Sequence, residues 1–394
     1  MCGKRNFTSP KCCLLIGCAM VIGLGHQALA AQPEVKIEGS TAAFTPSAPE
    51  TSGDRLDYAN ARPAPLPGNR TYTAARAKAD LIRALTAPSR PSGTSGSEPG
   101  SIGTGEQTPA MLVPARKESA SVRPSPRDYG TSGLPFSTAR VDLPDIKLTS
   151  HYPYSAVGKL FYLEGTASFV CSAALIKPGV IVTAAHCAAK FGTNTFYKGW
   201  KFAPGYSNGL APYGNWTVAQ ARVLTSYLNG TDSCSESGVT CRDDIAVMVL
   251  NPQGGRYPGA STGYLGYAYG GLGFTGNTTH VTQLGYPVDL DDGVYMERND
   301  AQGTVSFSYS SNTVIGSLMT GGSSGGPWVV NFGQAPGLNG TSFGSYANYN
   351  VVVGVTSWGS TTDSVKHQGA SPFTSTNINS LLTKACSLYP AACH

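Results

Sequence analysis

The chain has 394 residues, 41% hydrophobic and only 13% charged, a balance that suits a β-rich extracellular protein better than a helical cytosolic one. Its formal net charge is +5, yet residues 141–394 carry 12 Lys/Arg against 13 Asp/Glu. The positive excess therefore lies in the first 140 residues, and no nucleic-acid partner is expected for the remainder.

Residues 1–30 read as a secretory signal. Lys4, Arg5 and Lys11 form a basic start, Cys12 to Leu24 an apolar stretch, and Ala28-Leu29-Ala30 a small-residue cleavage site. The apolar stretch is too short to span a bilayer, so no membrane association is expected after signal removal. Leu15-Ile16-Gly17-Cys18 leaves lipoprotein-type processing as an alternative. Residues 31–140 are rich in Pro, Ser, Thr, Gly and Ala and read as a disordered, low-complexity propeptide or linker; Pro88 to Pro109 in particular should not pack. Within it, Thr73 to Ala87 has the composition of a short amphipathic helix, and Arg127 and Arg140 are candidate processing points.

From residue 141 to 394 the texture changes. Short apolar runs recur between turn residues: Val157–Leu163, Phe169–Ile176, Val180–Ala185, Ile245–Leu250, Val281–Tyr286, Trp328–Asn331 and Val351–Trp358. Runs of four to eight residues rich in Val, Ile, Phe and Tyr predict antiparallel strands of a sandwich or barrel. One segment, Asn377 to Cys386, predicts a helix, with Asn377 as N-cap and Ile378, Leu381 and Leu382 on one face. The cysteines outside the signal fall as three local pairs: Cys171 and Cys187, Cys234 and Cys241, Cys386 and Cys393. An even number in an exported domain favours disulfides, although several pairings are open. None has zinc-type spacing with histidine.

Three stretches carry chemistry. Val182-Thr183-Ala184-Ala185-His186-Cys187 places a histidine after a strand; Asp243-Asp244-Ile245-Ala246 opens an apolar strand with an acid; Gly321-Gly322-Ser323-Ser324-Gly325-Gly326-Pro327 sets a serine in a glycine-rich loop. A hydroxyl becomes a competent nucleophile when an imidazole takes its proton, and a buried carboxylate fixes the imidazole's tautomer. Glycines let backbone N–H groups approach a substrate carbonyl. Each stretch alone has a structural explanation. Their order His, Asp, Ser is that of one of the known convergent triads.

On these residues the segment from about Leu148 to His394 resembles the trypsin-like serine proteases, and its opening Tyr152-Pro153-Tyr154-Ser155-Ala156-Val157-Gly158 resembles the bacterial and fungal branch that includes glutamyl endopeptidases. The resemblance implies an all-β fold of two antiparallel six-stranded barrels, with the active site in the cleft between them and a short C-terminal helix. It assigns His186 as general base, Asp244 (rather than Asp243) as triad acid, and Ser324 as nucleophile. The amides of Gly322 and Ser324 would form the oxyanion hole, and Ser357-Trp358-Gly359 would pair with the substrate backbone. Proximity and the resemblance together pair Cys171 with Cys187, Cys234 with Cys241, and Cys386 with Cys393. The implied protein is a secreted, monomeric endopeptidase, extracellular or periplasmic, made as a zymogen and acting on protein or peptide substrates without cofactor or metal.

Two departures stand out. Ser323 replaces the aspartate that binds a freed N-terminus in digestive members, so activation would act by uncovering the cleft or releasing a folding aid. Leu318 occupies the pocket-floor position, and Thr356 stands where glutamyl endopeptidases carry a histidine; Thr356, Met319 and Ser371 are candidates to meet a polar side chain. An uncharged or medium-sized apolar residue before the scissile bond is expected. Asp289, Asp291 and Asp292 form an acidic turn without the spacing of an EF-hand, and His280 and His367 read as surface or loop residues. A catalytically silent binding module and an enzyme acting mainly on esters are the alternative readings.

Overall fold

The computed structural model describes residues 34–47, 56–64, 96–112, 134–232, 243–270, 274–275, 278–306, 312–333, 349–359 and 366–394. Twelve strands build two closed barrels. The first contains β1 (Val157–Glu164), β2 (Ala167–Lys177), β3 (Val180–Thr183), β4 (Lys198–Pro204), β5 (Trp216–Leu224) and β6 (Ala246–Leu250). They run in the order β5-β4-β1-β2-β3-β6, and β5 pairs with β6 to close the ring; every pairing is antiparallel. The second contains β7 (Thr278–Gly285), β8 (Glu297–Ser306), β9 (Asn312–Gly316), β10 (Pro327–Val330), β11 (Val351–Gly359) and β12 (His367–Pro372). Here the ring is β7-β8-β9-β12-β11-β10, closed by β10 on β7 and again antiparallel. Closure removes the free edges that would otherwise template aggregation. Each predicted apolar run overlaps one of these strands, and the run Val180–Ala185 passes beyond β3 into the turn that follows it.

Strand β8, by contrast, has the polar sequence Glu297 to Ser306 and shows no apolar alternation. It is held by ladders to β7 on one side and β9 on the other. The C-terminal helix α1 (Ile378–Leu388) is capped as expected: the Asn377 side chain accepts from the Ile378 amide, and Ile378, Leu381 and Leu382 are buried. Disulfides join Cys171 to Cys187 and Cys386 to Cys393. Cys234, Cys241, the signal segment, Thr73 to Ala87 and Arg127 lie outside the described residues.

The described stretches of residues 31–140 depart from the expectation of a tail that does not pack. Glu34–Glu38 and Thr41–Thr45 form a hairpin whose second strand extends the first barrel at β5. Phe44 stacks on Phe196 and meets Trp200, while Glu38 pairs with the buried guanidinium of Arg222 at 2.8 Å. Arg62–Pro63 lies parallel to Phe169–Val170 of β2, Gly96–Glu98 pairs with Gly266–Tyr269, and Phe136–Arg140 pairs with β8. Backbone ladders accept nearly any side chain, so Ser/Thr/Pro-rich composition did not reveal them. Arg140, one of the two candidate processing points, is engaged on the second barrel. Its guanidinium donates twice to Asp291 at 2.5 Å and stacks over Tyr295, which also occupies both carboxylate oxygens of Asp291 in the acidic turn.

Candidate active site

Strand β3 ends at Thr183, and a single helical turn, Ala185–Cys187, follows extended Ala184. Small side chains let this turn sink into the protein, and Trp200 pins it by donating its indole N–H to the Cys187 carbonyl at 3.0 Å. The Cys171–Cys187 disulfide ties the turn to β2. Strand β6 pairs with β3 through Ala246 and Thr183, which carries Asp244 alongside the turn. His186 Nδ1 lies 2.8 Å from Asp244 Oδ2, and the His186 backbone N–H donates to Oδ1 at 2.9 Å. Asp243 points elsewhere and accepts from the Ser226 hydroxyl. Both members of the pair are buried, His186 at 1% exposure and Asp244 at 0%. A carboxylate at Nδ1 makes that nitrogen the proton donor and leaves Nε2 with its basic lone pair. Nε2 makes no hydrogen bond.

The loop between β9 and β10 brings Ser324 to the same place. Gly325 (φ +78°) packs so tightly that an added Cβ would come within 1.9 Å of Thr183 Oγ1 and 2.4 Å of the Ser172 carbonyl. Only glycine permits that approach. The Ser324 carbonyl accepts from the Ser172 N–H at 2.7 Å, and Cys187 Sγ, oxidised and without a proton, lies 3.8 Å from it. The Ser324 hydroxyl is not hydrogen-bonded to Nε2 in this structure; catalytic hydrogen bonds often tighten only when substrate is bound. Among the described residues the N–H groups of Gly322 and Ser324 have no acceptor, whereas those of Ser323, Gly325 and Gly326 are all bonded. Two free amides thus flank Ser323. The Ser323 hydroxyl donates to the Thr320 carbonyl at 2.6 Å and accepts from Gln368 at 3.1 Å. Neutral partners therefore order this loop.

The other expected residues divide. Ser357 sits in a β-bulge of β11, a feature that re-aims side chains, and its hydroxyl donates to Asp244 Oδ2 at 2.5 Å. It is thus a third partner of the carboxylate, a role not read from the sequence. The pairing of β11 with β10 ends at Val355, while β12 continues alongside to Gly359. Leu318 is half-buried beside this loop. Thr356 faces the interior of the second barrel, where its hydroxyl oxygen accepts from Gln283 at 2.9 Å and from the Trp328 indole at 3.0 Å. That network spends the hydroxyl inside the barrel. His367 is corrected too: it lies on β12 at 3% exposure, and burial pushes its pKa down to about 4. Cys171, Cys187 and His186 cluster closely, but the disulfide leaves no thiolate for a metal.

Ser172 and the amides of Tyr286 and Val288 were missed. Val288 N–H donates to the Gly321 carbonyl at 2.8 Å, and Ser172 Oγ donates to the Gly322 carbonyl at 2.9 Å while accepting from Tyr286 N–H at 3.0 Å. The available signal was a lone hydroxyl inside the apolar run Phe169–Ile176, next to Cys171.

No protein-family model matches the chain, and no curated protein sequence matches it. Among solved structures, the protease Anisep from Arthrobacter nicotinovorans is 24% identical at a TM-score of 0.46, covering 59% of this chain and 96% of that one. A thermostable serine protease AL20 from an extremophilic microorganism is 24% identical at a TM-score of 0.47, covering 59% and 97%. A Glu endopeptidase is 18% identical at 0.43, covering 64% and 96%.

Proposed function

We propose that this protein is a secreted serine endopeptidase. The observation that carries the reading is the buried His186–Asp244 pair with an unpartnered Nε2, combined with two acceptor-free amides on either side of Ser323. In the reaction, Ser324 Oγ attacks the peptide carbonyl as Nε2 takes its proton. The carbonyl oxygen becomes an anion held by the N–H groups of Gly322 and Ser324, and each such donor contributes roughly 3 kcal/mol to the transition state. The imidazolium, stabilised by Asp244, protonates the leaving amine. Water then attacks the ester with His186 again as base, regenerating Ser324.

Leu318 provides an apolar wall, and the Thr356 hydroxyl is committed to Gln283 and Trp328, so cleavage after uncharged, medium-sized residues is the expected specificity. The zymogen reading gains a structural element: Pro63 packs on Gly321, where a Cβ would meet the proline at 2.8 Å, one residue from the oxyanion amide. Residues 56–64 thus form a strap beside the site. A fluorophosphonate probe tests the assignment. Wild type labels at Ser324 and hydrolyses peptides, Ser324→Ala does neither, and a wild type that fails both ends the proposal.

A further inference from the structure

We infer that Ser172 is a positioning residue of the proposed reaction, its hydroxyl holding the oxyanion loop in register; this rests on the endopeptidase reading above. Ser172 belongs to β2 of the first barrel, yet its main bonds go to the loop of the second. Its N–H donates to the Ser324 carbonyl at 2.7 Å, its hydroxyl donates to the Gly322 carbonyl at 2.9 Å and accepts from Tyr286 N–H at 3.0 Å, and its carbonyl accepts from Thr183 Oγ1 at 2.8 Å. The residue has no solvent exposure. One side chain and its own peptide groups therefore join β2, and through Thr183 the end of β3 that leads into the His186 turn, to both residues whose amides face the substrate.

The geometry explains why this matters. A peptide group is planar and trans, so holding the carbonyl of one residue also aims the N–H of the next. Four successive carbonyls of the loop, from Gly321 to Ser324, are held by Val288 N–H, Ser172 Oγ, Gly326 N–H and Ser172 N–H. Ser172 supplies two of the four: it holds the Gly322–Ser323 plane, which lies between the two oxyanion amides, and the Ser324–Gly325 plane just beyond them. Gly322 is the weak point, because at φ +95° it has no Cβ to restrict rotation. Removing the hydroxyl leaves the Gly322 carbonyl and Tyr286 N–H without their shared partner. Rotation of the freed Gly322–Ser323 plane then shifts the Gly322 and Ser324 N–H groups relative to one another, out of register with a shared oxyanion.

The test uses the full chain with Ser172→Ala and the near-isosteric Ser172→Cys, whose S–H remains a weak donor. Removing an oxyanion donor costs about 100- to 1,000-fold in kcat, so misaligning one predicts about 10- to 100-fold for Ser172→Ala with KM nearly unchanged. Ser172→Cys recovers part of the loss. A peptide aldehyde, whose adduct places an oxyanion in the hole, should bind Ser172→Ala at least about tenfold more weakly, while a product peptide binds equally. The pH profile keeps its midpoint, since His186 and Asp244 are untouched. An active wild type with Ser172→Ala within threefold in kcat, or with unchanged aldehyde affinity, overturns the inference. Loss of fold by circular dichroism in both variants overturns it as well. An inactive wild type overturns the endopeptidase reading instead.

Discussion

Replacing Asp244 with asparagine keeps the shape of the side chain and changes its hydrogen-bonding sense. One carboxylate oxygen serves the His186 backbone N–H, and the other serves both His186 Nδ1 and Ser357 Oγ. An asparagine that kept its carbonyl toward the backbone N–H would aim its amide at Nδ1. The opposite flip would set two donors face to face at the main chain. The first arrangement wins, so Nδ1 becomes an acceptor and the ring proton moves to Nε2, where it blocks uptake of the Ser324 proton. In a characterised triad that tautomer error lowers kcat about 10⁴-fold. That corresponds to about 5 kcal/mol of transition-state stabilisation. With no exposure at Asp244, water cannot restore the lost acceptor. The assay is kcat on a peptide substrate together with the rate of fluorophosphonate labelling. The melting temperature, read in parallel, should stay close to wild type because the volume is conserved. Asp244→Asn retaining more than a tenth of wild-type kcat would refute the assignment of His186 as the base.

Three further outcomes are expected. Glu297 is buried beside Asp291, and its carboxyl is pushed up from 4.5 to about 8, so the fold holds a proton that the unfolded chain releases. Stability from that proton is full below 4.5 and is lost as pH rises through 8, so Glu297→Gln should melt higher than wild type at pH 8 and little differently at pH 4; equal melting at pH 8 counts against it. Glu38 is held down at about 2 by Lys36 and Arg222, so its contribution is present above 4.5 and disappears as pH falls toward 2. Glu38→Gln should lower the melting temperature at pH 7 and speed hydrogen exchange in Thr41–Thr45, with the difference gone near pH 2. Tyr58 meets Phe161 and Asn215, and Arg62 lies over Phe169. Loosening the strap with Tyr58→Ala and Arg62→Ala should accelerate labelling of the unprocessed chain several-fold, at about 1 kcal/mol per lost contact; an unchanged rate would remove the strap from the activation scheme.

The three motif stretches were legible because their chemistry is local. A histidine after an Ala-Ala turn, an acid opening a strand and a serine among glycines each need particular neighbours within a few residues. The same holds for the apolar runs and for Asn377, whose capping role depends only on the helix it begins. Strands β4, β5, β8, β9 and β12 were not named, because polar residues interrupt their apolar pattern and leave no continuous apolar run in any of them. Gln283, Asn299 and Ser317 fill the second barrel with hydrogen bonds where a hydrophobic pattern would have marked a core.

From its order of residues alone, this protein declared a strand-rich domain, a capped C-terminal helix and three stretches with the chemistry of a triad; the two barrels and the triad roles came from the resemblance those stretches carry. Tertiary structure alone decided that Ser357 turns to Asp244 while Thr356 turns inward, that Ser172 joins the two barrels at the oxyanion loop, and that the N-terminal hairpin supplies the counter-ion of Arg222. Side-chain periodicity and capping act over one or two turns of chain. A hydrogen-bond partner more than a hundred residues away exists only once the backbone has closed on itself.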